Sequence, residues 1–308
     1  MYYYNFFLFL LFSSSVLTYP LLAMEGKETS QLSTAAKSVK STEKVYGEAL
    51  DNCAGANTSK IIPYQESGQS YIEKHFTDKD SFQGELNQVR NLQKDIEDYH
   101  KYSNEDMPIF ANYHRHSYLC IDYKMAEGES LTSFFIRAAI TGIPSPDHKF
   151  FALEQTKKAG ETIANYHLHH RSPDNQEKFM TSVHGDLHPA NVYFEFNGKG
   201  LVTFIDYSSL SFSEKRNIII DIDKLFNHDF NVIRTIPGEI SLLVSRKLGI
   251  SQGPLFEREL AESLAQLKEF RMAFLVGYNR ALERQKSGFK LLMNKEGRVE
   301  FVRDSQEN

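Results

Sequence analysis

Acidic, amide and imidazole side chains recur at fixed spacing in the stretch from Ser182 to Ser209. His184 and Asp186 lie in the segment HGDLHPAN, which Asn191 ends, and Asp206 lies in FIDY. Carboxylate and amide oxygens suit Mg²⁺, which also binds water and substrate phosphates. A carboxylate outside the metal's coordination shell can accept a proton from an attacking hydroxyl. The pattern indicates a metal site formed by Asn191 and Asp206, with Asp186 as the proton acceptor.

A β-hairpin would bring these side chains together. Residues 192–196 (VYFEF) and 201–205 (LVTFI) are rich in β-branched and aromatic side chains, which favours strands. Asn197-Gly198 between them is typical of a two-residue hairpin turn. Asn191 precedes the first strand and Asp206 follows the second, so an antiparallel hairpin places both at one end.

The overall composition is that of a globular enzyme. The chain has 308 residues, of which 41% are hydrophobic and 24% charged, and this is enough for two lobes. The formal net charge of −5 gives no clustered basic surface, so we expect no nucleic-acid partner.

The N-terminus carries a long apolar segment. Residues 6–23 (FFLFLLFSSSVLTYPLLA) resemble the core of a secretory signal with cleavage after Ala23, although MYYYN lacks a Lys or Arg. A membrane anchor and a buried core helix are the alternatives. We expect an exported protein if residues 1–23 are a signal peptide, and otherwise a membrane-anchored one. Residues 24–44 are predicted to form a flexible linker.

The two cysteines leave two interpretations open. Cys53 and Cys120 could pair if the chain is exported, because oxidising compartments favour disulfides. They could equally be two buried thiols, and their separation does not fit a zinc motif.

The first half is predicted to be a small sheet with one helix. Strands are expected at residues 60–64, 70–76 and 118–125, with a turn at 65–69. Apolar residues at helical spacing predict a helix at 81–99 with Ser81 at its N-terminus.

The second half is predicted to be mainly helical, with helices at 131–141 and 150–170 and two helices within 256–286. The fold class is therefore α+β, with a β-rich N-lobe (45–125) followed by a larger α-helical C-lobe (126–308). A cleft between two such lobes is a natural ligand site.

HGDLHPAN followed by FIDY resembles the aminoglycoside phosphotransferase and choline kinase-like family, which has a bilobal protein-kinase-like fold. The resemblance covers about residues 55–278. It implies that Asp186 orients or deprotonates the acceptor hydroxyl, and that Asn191 and Asp206 bind the metal. This chain has Ala190 where the family usually has glycine, and Tyr207 where kinases with a DFG motif have Phe.

The resemblance also implies a phosphate-binding lysine on a strand and a glutamate partner on the next helix. Lys74 in YIEKHF and Glu85 in SFQGELNQV occupy these positions. The alternative is that both are ordinary solvated residues.

The nucleotide-binding loop is less clear, because the chain has no G-x-G-x-x-G motif. Residues 55–59 include Asn57, Thr58 and Ser59, which could form a short loop over the phosphates or a surface turn. The family's hinge corresponds to MAEGESL, and backbone groups from Tyr123 to Met125 would bind adenine.

Other residues are expected to support the site. Asp221 resembles the family's aspartate that braces the catalytic loop, with Asp223 as its competitor, and His184 would hold the loop by hydrogen bonds. Zinc binding by the histidines of YHLHH, with His114 and His116, is an alternative interpretation.

These features predict an ATP- and Mg²⁺-dependent phosphotransferase, with Mn²⁺ as a possible substitute. The γ-phosphate would pass to a hydroxyl of a small molecule such as an aminoglycoside, a choline-like alcohol or a sugar. A protein kinase, including a secreted effector, is one alternative. A nucleotide-binding pseudokinase that serves as an interaction module is the other.

Overall fold

The fold is described from a computed structural model, which describes residues 44–49, 57–104, 106–141, 146–171, 179–195, 200–227, 236–295 and 297–303. The predicted signal or anchor segment, residues 24–43 of the linker, Cys53 and the Asn197-Gly198 turn lie outside these residues, and the predictions made for them remain predictions. No helix in the described part of the chain is long and apolar enough to cross a membrane.

Two compact units make up the described chain. The first contains residues up to Leu86 together with Asn112–Met125, and the second contains Asn87–Ala111 together with residues from Ala126 onward. The strands are β1 Val45–Tyr46, β2 Thr58–Glu66, β3 Gln69–Phe76, β4 Ile109–Phe110, β5 Tyr113–Ser117, β6 Cys120–Lys124, β7 Glu129–Ser130, β8 Met180–Thr181, β9 Val192–Phe194, β10 Val202–Phe204, β11 Arg216–Asn217, β12 Phe289–Met293 and β13 Val299–Arg303. The α-helices are α1 Lys79–Tyr102, α2 Leu131–Thr141, α3 Pro146–His169, α4 Ile219–Ile222, α5 Ile236–Leu248 and α6 Pro254–Arg284.

The first unit contains a five-stranded sheet in the order β1-β2-β3-β6-β5, with every neighbouring pair antiparallel. The predicted hairpin is confirmed as β2 and β3. Ser67 (φ 54°) and Gly68 (φ 75°) form its turn, and two consecutive positive φ angles are typical of a type I′ turn.

Helix α1 follows β3. Asp78 caps its N-terminus, whereas the sequence predicted Ser81 at this place. The Asp78 carboxylate accepts hydrogen bonds from the backbone N–H and the hydroxyl of Ser81, each at 2.8 Å. The cap lies earlier because a carboxylate three residues upstream reaches the free N–H groups of the first turn. Phe82 is buried in α1, with its ring 5.8 Å from that of Phe76 on β3.

The second unit is built around the two long helices α3 and α6. A Cβ at Gly160 would lie 2.1 Å from the Phe274 carbonyl oxygen, and one at Gly277 would lie 1.8 Å from that of Lys157. Each helix thus needs a glycine where the other helix's backbone crosses it. The prediction of two helices within 256–286 was wrong, because Gly277 serves this close approach and does not break α6.

The predicted catalytic hairpin is confirmed as β9 and β10, which are antiparallel with Val192 opposite Phe204. They belong to a four-stranded sheet in the order β4-β10-β9-β7. Phe194 and Phe204 are fully buried, which anchors the hairpin in the core of the second unit. Both strands are shorter than predicted.

Two further pairs of strands, β8 with β11 and β12 with β13, were not predicted. In the second pair, the rings of Phe289 and Phe301 pack 4.1 Å apart and both contact Phe179. The β-rich first unit and the mainly helical second unit confirm the predicted α+β class.

Candidate active site

A hydrogen-bonded loop in the second unit joins Asp186 to Asn191. The His188 N–H donates to the Asp186 carbonyl at 2.9 Å, and the Asn191 N–H donates to the His188 carbonyl at 2.8 Å. The Asn191 side-chain Nδ2 donates to the Asp186 carbonyl at 2.9 Å. Asn191 is buried, so these bonds fix its amide and leave Oδ1 as the atom that can bind a metal.

The hairpin connects this loop to Asp206. The Ile205 N–H donates to the Asn191 carbonyl at 3.1 Å. The residue before Asp206 is therefore hydrogen-bonded to Asn191, the predicted metal ligand. Asp206 has φ 53° and ψ 49°, a left-handed conformation that is uncommon outside glycine, asparagine and aspartate. Its side chain is exposed, whereas the following Tyr207 is buried and donates its hydroxyl to the Ala111 carbonyl at 2.8 Å. The carboxylate is therefore held at the surface by an anchored backbone.

Glycine is required at the start of the loop that carries Asp186. Gly185 has φ 85°, and a Cβ there would lie 2.9 Å from the Cβ and 3.0 Å from the carbonyl oxygen of Ser209. A larger residue would therefore displace Asp186 from its present position.

Asp221 braces the loop, as the resemblance implied, and Asp223 does not make these contacts. The fully buried Asp221 carboxylate accepts the backbone N–H groups of His184 at 2.7 Å and Gly185 at 2.9 Å. His167 lies at 3.1 Å from the same carboxylate and at 2.7 Å from the Tyr278 hydroxyl. Burial alone raises a carboxyl pKa, but the hydrogen bond and charge of His167 lower the pKa of Asp221 below its usual value of 3.8.

His184 supports the loop as predicted. Its Nδ1 accepts the Asp186 N–H at 3.3 Å, which leaves Nε2 to donate to the Ile205 carbonyl at 3.0 Å. Burial lowers the pKa of His184, and this favours the neutral ring that both contacts need. One neutral imidazole thus links the Asp186 loop to the strand before Asp206.

Lys224 is a site residue that the sequence did not identify. Its Nζ donates to Asp186 Oδ1 at 2.6 Å, and His188 Nε2 lies 3.8 Å from Oδ2. The Asp186 side chain is 36% exposed, so solvent or an acceptor can reach it. Lys224 lies on a π-helical turn, residues 223–227, directly after α4. Such turns are frequent at functional sites, but no sequence pattern indicated this one.

The predicted pair of Lys74 and Glu85 forms in the first unit. Lys74 Nζ lies 2.9 Å and 2.8 Å from the two carboxylate oxygens of Glu85. The Tyr123 hydroxyl donates to Glu85 Oε1 at 2.7 Å. The side chains of Lys74 and Glu85 are 17% and 13% exposed, so the pair holds the ammonium in one orientation near the surface.

The other predicted nucleotide contacts fall on regular structure. Thr58 and Ser59 lie in β2 and not in a loop, because Thr58 pairs with Phe76 of β3. Asn57 directly precedes the strand, and its carbonyl accepts the Thr77 N–H at 3.1 Å. The loop interpretation of Thr58 and Ser59 was therefore wrong, and their binding of phosphate remains a prediction.

The hinge residues also form internal contacts. The Met125 N–H donates to the Ser70 carbonyl at 3.0 Å and the Lys124 N–H to the Asn112 carbonyl at 2.7 Å. The Tyr123 hydroxyl donates to Glu85, and within the sheet Tyr123 is paired with Ile72 of β3 and Tyr113 of β5. The predicted adenine contact, with Tyr123 and Met125, also remains a prediction.

No protein-family model matches the chain, and no curated protein matches it. Solved structures similar to it include a macrolide 2'-phosphotransferase from Brachybacterium faecium, at 10% identity and a TM-score of 0.36, covering 76% of this chain and 88% of that one. An ethanolamine kinase from Plasmodium vivax matches at 11% identity and a TM-score of 0.29, covering 71% of this chain and 72% of that one.

Proposed function

We propose that this chain is an ATP- and Mg²⁺-dependent phosphotransferase that phosphorylates a hydroxyl group of a small molecule. One observation supports this more than any other. The hydrogen bonds of a single loop and hairpin hold Asp186, Asn191 and the backbone next to Asp206 together. Every group in this arrangement matches the role that the HGDLHPAN and FIDY motifs imply.

The residues present fit a divalent cation. Asn191 offers an amide oxygen and Asp206 a surface carboxylate, which are ligands that Mg²⁺ and Mn²⁺ accept. A bound divalent ion would neutralise charge on the nucleotide phosphates.

Asp186 is the residue that would handle the proton. In the transfer, an acceptor oxygen forms a bond to the γ-phosphorus while the bond from that phosphorus to the ADP oxygen breaks. The acceptor's proton passes to a carboxylate oxygen of Asp186. The hydrogen bond from Lys224 fixes one carboxylate oxygen and leaves Oδ2 for the acceptor.

Lys74 would bind the nucleotide phosphates through its ammonium group. The bidentate contact with Glu85 orients this group before the nucleotide arrives, which lowers the entropic cost of binding. Most of the rate acceleration would come from positioning and electrostatics, since phosphoryl transfer asks for little covalent chemistry from the protein.

The test uses the full-length chain, γ-labelled ATP, Mg²⁺ or Mn²⁺, and either pools of small hydroxyl compounds or a cell lysate. We expect label on a small molecule. Label on a polypeptide would instead support a protein kinase, and nucleotide binding without any transfer would support an interaction module. Asp206→Ala should remove the label, whereas Asp95→Asn, on an exposed position of α1, should retain it.

We also propose that residues 1–23 direct export or anchor the chain in a membrane, with membrane contact limited to residues 6–23 if they are retained. A reporter fused after Lys44 tests this by showing on which side of the membrane the chain lies. A cytoplasmic, membrane-free reporter would contradict both forms of the proposal.

A further inference from the structure

Four potential metal ligands lie on one face of the first unit's sheet. Glu73 and His75 are two residues apart on β3, so their side chains point to the same side. Cys120 and Asp122 are related in the same way on β6. The register pairs Glu73 with Asp122 and His75 with Cys120, so the four side chains form a two-by-two set.

The donor atoms of Glu73, His75 and Cys120 are separated by distances that a single ion can span. The Cys120 sulfur lies 3.9 Å from His75 Nε2, and His75 Nε2 lies 3.2 Å from Glu73 Oε2. The Cys120 sulfur lies 3.4 Å from Asp122 Oδ1. Tetrahedral zinc with its usual bond lengths separates sulfur, nitrogen and oxygen ligands by about 3.3–3.6 Å. One ligand atom each from Glu73, His75 and Cys120 lie within 4.8 Å of one another.

Each carboxylate divides its oxygens between two sets of partners. Lys44 and Tyr46 bind Glu73 through Oε1, whereas Oε2 faces His75. At the second carboxylate, Oδ2 of Asp122 accepts from Tyr64 at 2.8 Å and from Arg115 at 3.0 Å, with Lys44 at 3.4 Å, whereas Oδ1 faces Cys120.

This division resembles the outer shell of a metal centre. Outer hydrogen bonds orient ligating carboxylates and leave the opposite oxygen for the ion. Here the lysine, arginine and tyrosine groups occupy the outer oxygens of both carboxylates. The inner oxygens, the imidazole and the sulfur remain turned towards one another.

We propose that Glu73, His75 and Cys120 bind a zinc-class divalent ion at a structural site, with Asp122 beside the sulfur. A thiolate with an imidazole selects zinc over magnesium or calcium, which prefer oxygen ligands. The ion would link β3, which carries Glu73 and His75, to β6, which carries Cys120.

Binding would change the protonation of one ligand. The Cys120 thiol is free and buried, and burial together with the charges of Asp122 and Glu73 raises its pKa to about 12. Formation of the metal–sulfur bond would release the thiol proton to solvent. The charge of the ion would then compensate the thiolate and the two carboxylates.

This site is distinct from the proposed phosphate-binding lysine. Lys74 lies between Glu73 and His75 on β3, so its side chain points to the opposite face, where it meets Glu85. Metal binding at Cys120 can therefore be tested independently of phosphoryl transfer.

The experiment titrates the reduced, chelator-treated full-length chain with Co²⁺ and then displaces it with Zn²⁺. We expect a thiolate-to-cobalt charge-transfer band that disappears in Cys120→Ser and persists in the matched control Cys53→Ser. His75→Gln should weaken the affinity by about tenfold or more. Circular dichroism of each variant verifies folding, and His75 is half-buried, so its substitution leaves the core intact.

Three results would overturn the proposal. These are no band in the wild-type chain, the same band in Cys120→Ser, or equal affinities in the wild type and His75→Gln. Phosphoryl transfer measured on the same samples separates the two claims, because a chain that binds cobalt without transferring phosphate refutes only the proposed activity.

Discussion

Two lysine–carboxylate pairs, one in each unit, show how the same contact can serve different purposes. Lys74 bonds both oxygens of Glu85, which is also held by Tyr123. Lys224 bonds only one oxygen of Asp186, and this pair is more exposed, at 29% and 36% against 17% and 13% for the first.

Under the proposed function, the difference indicates which partner in each pair would contact the reacting groups. In the first pair both carboxylate oxygens of Glu85 accept hydrogen bonds. We therefore expect the glutamate to orient the lysine. In the second pair the carboxylate keeps one oxygen accessible, so the lysine serves to orient the aspartate. A substitution should therefore affect nucleotide binding at the first pair and turnover at the second.

The largest effect is expected at Asp186. Asp186→Asn removes the proton acceptor but keeps the side-chain shape, so kcat should fall by about 10²- to 10⁴-fold. ATP affinity should change little, because the metal ligands Asn191 and Asp206 remain. Steady-state kinetics measure kcat, and a parallel ATP titration measures the affinity. An equal loss of kcat and of ATP affinity would show that Asp186 acts by holding the nucleotide.

Asp221 should have the largest effect on stability. Asp221→Asn removes a fully buried charge that accepts two backbone N–H groups and faces His167, so we expect a loss of about 3–5 kcal/mol in the free energy of unfolding. Chemical denaturation measures it. Asp95→Asn, at an exposed position, should cost almost nothing.

The same variant gives a pH test. Because the folded-state pKa of Asp221 is lowered from 3.8, its charge stabilises the fold above that pH, and the contribution is lost as pH falls through the folded pKa. The stability difference between the wild type and Asp221→Asn should therefore shrink below about pH 3.8. A constant difference at all pH values would contradict the depressed pKa.

Lys74→Met should weaken ATP binding by about 10- to 100-fold, the equivalent of one charged hydrogen bond of about 1.5–3 kcal/mol. Isothermal titration with Mg²⁺–ATP gives the affinity. Lys79→Met, which removes an exposed lysine of α1, is the matched control. Equal affinities in Lys74→Met and the wild type would remove Lys74 from the phosphate site.

Lys224→Met should lower kcat by about tenfold while ATP affinity stays near the wild-type value, because only the orientation of Asp186 is lost. Lys247→Met removes another ion-paired lysine, 55% exposed beside Glu259, and should leave kcat unchanged. If Lys224→Met weakened ATP binding instead, the contrast between the two pairs would be lost.

The smallest effect is expected at Tyr123. Tyr123→Phe deletes the hydroxyl that donates to Glu85 and should cost about 1 kcal/mol of stability. Tyr118→Phe, with the residue 81% exposed, should cost nothing measurable. Urea unfolding of both variants gives their free energies of unfolding. Equal values would show that the hydrogen bond from Tyr123 to Glu85 does not stabilise the fold.

Local sequence patterns were sufficient for much of the fold and part of the site. Strand-like segments at 60–64 and 70–76 around a turn at 65–69 predicted the first hairpin, and strand-forming residues after Asn191 predicted the second. Lys74 and Glu85 were identified through the family resemblance, which implies a lysine on a strand and a glutamate partner on the next helix.

Contacts between distant segments were not predictable in the same way. Lys224 reaches Asp186 across 38 residues from a π-helical turn, and such turns have no reliable sequence signal. The set formed by Glu73, His75, Cys120 and Asp122 depends on the register of β3 against β6, which the spacing of two cysteines cannot reveal. The close approach at Gly277 depends on the helix that packs against it, which local sequence does not reveal.

The most direct test of the proposed site is the Mg²⁺ dependence of ATP affinity in the wild-type chain and in Asp206→Ala. We predict that Mg²⁺ strengthens ATP binding to the wild type, and that this gain disappears in Asp206→Ala while metal-free binding is unchanged. The same gain in both proteins would show that Asp206 does not bind the nucleotide's metal, and would contradict the account.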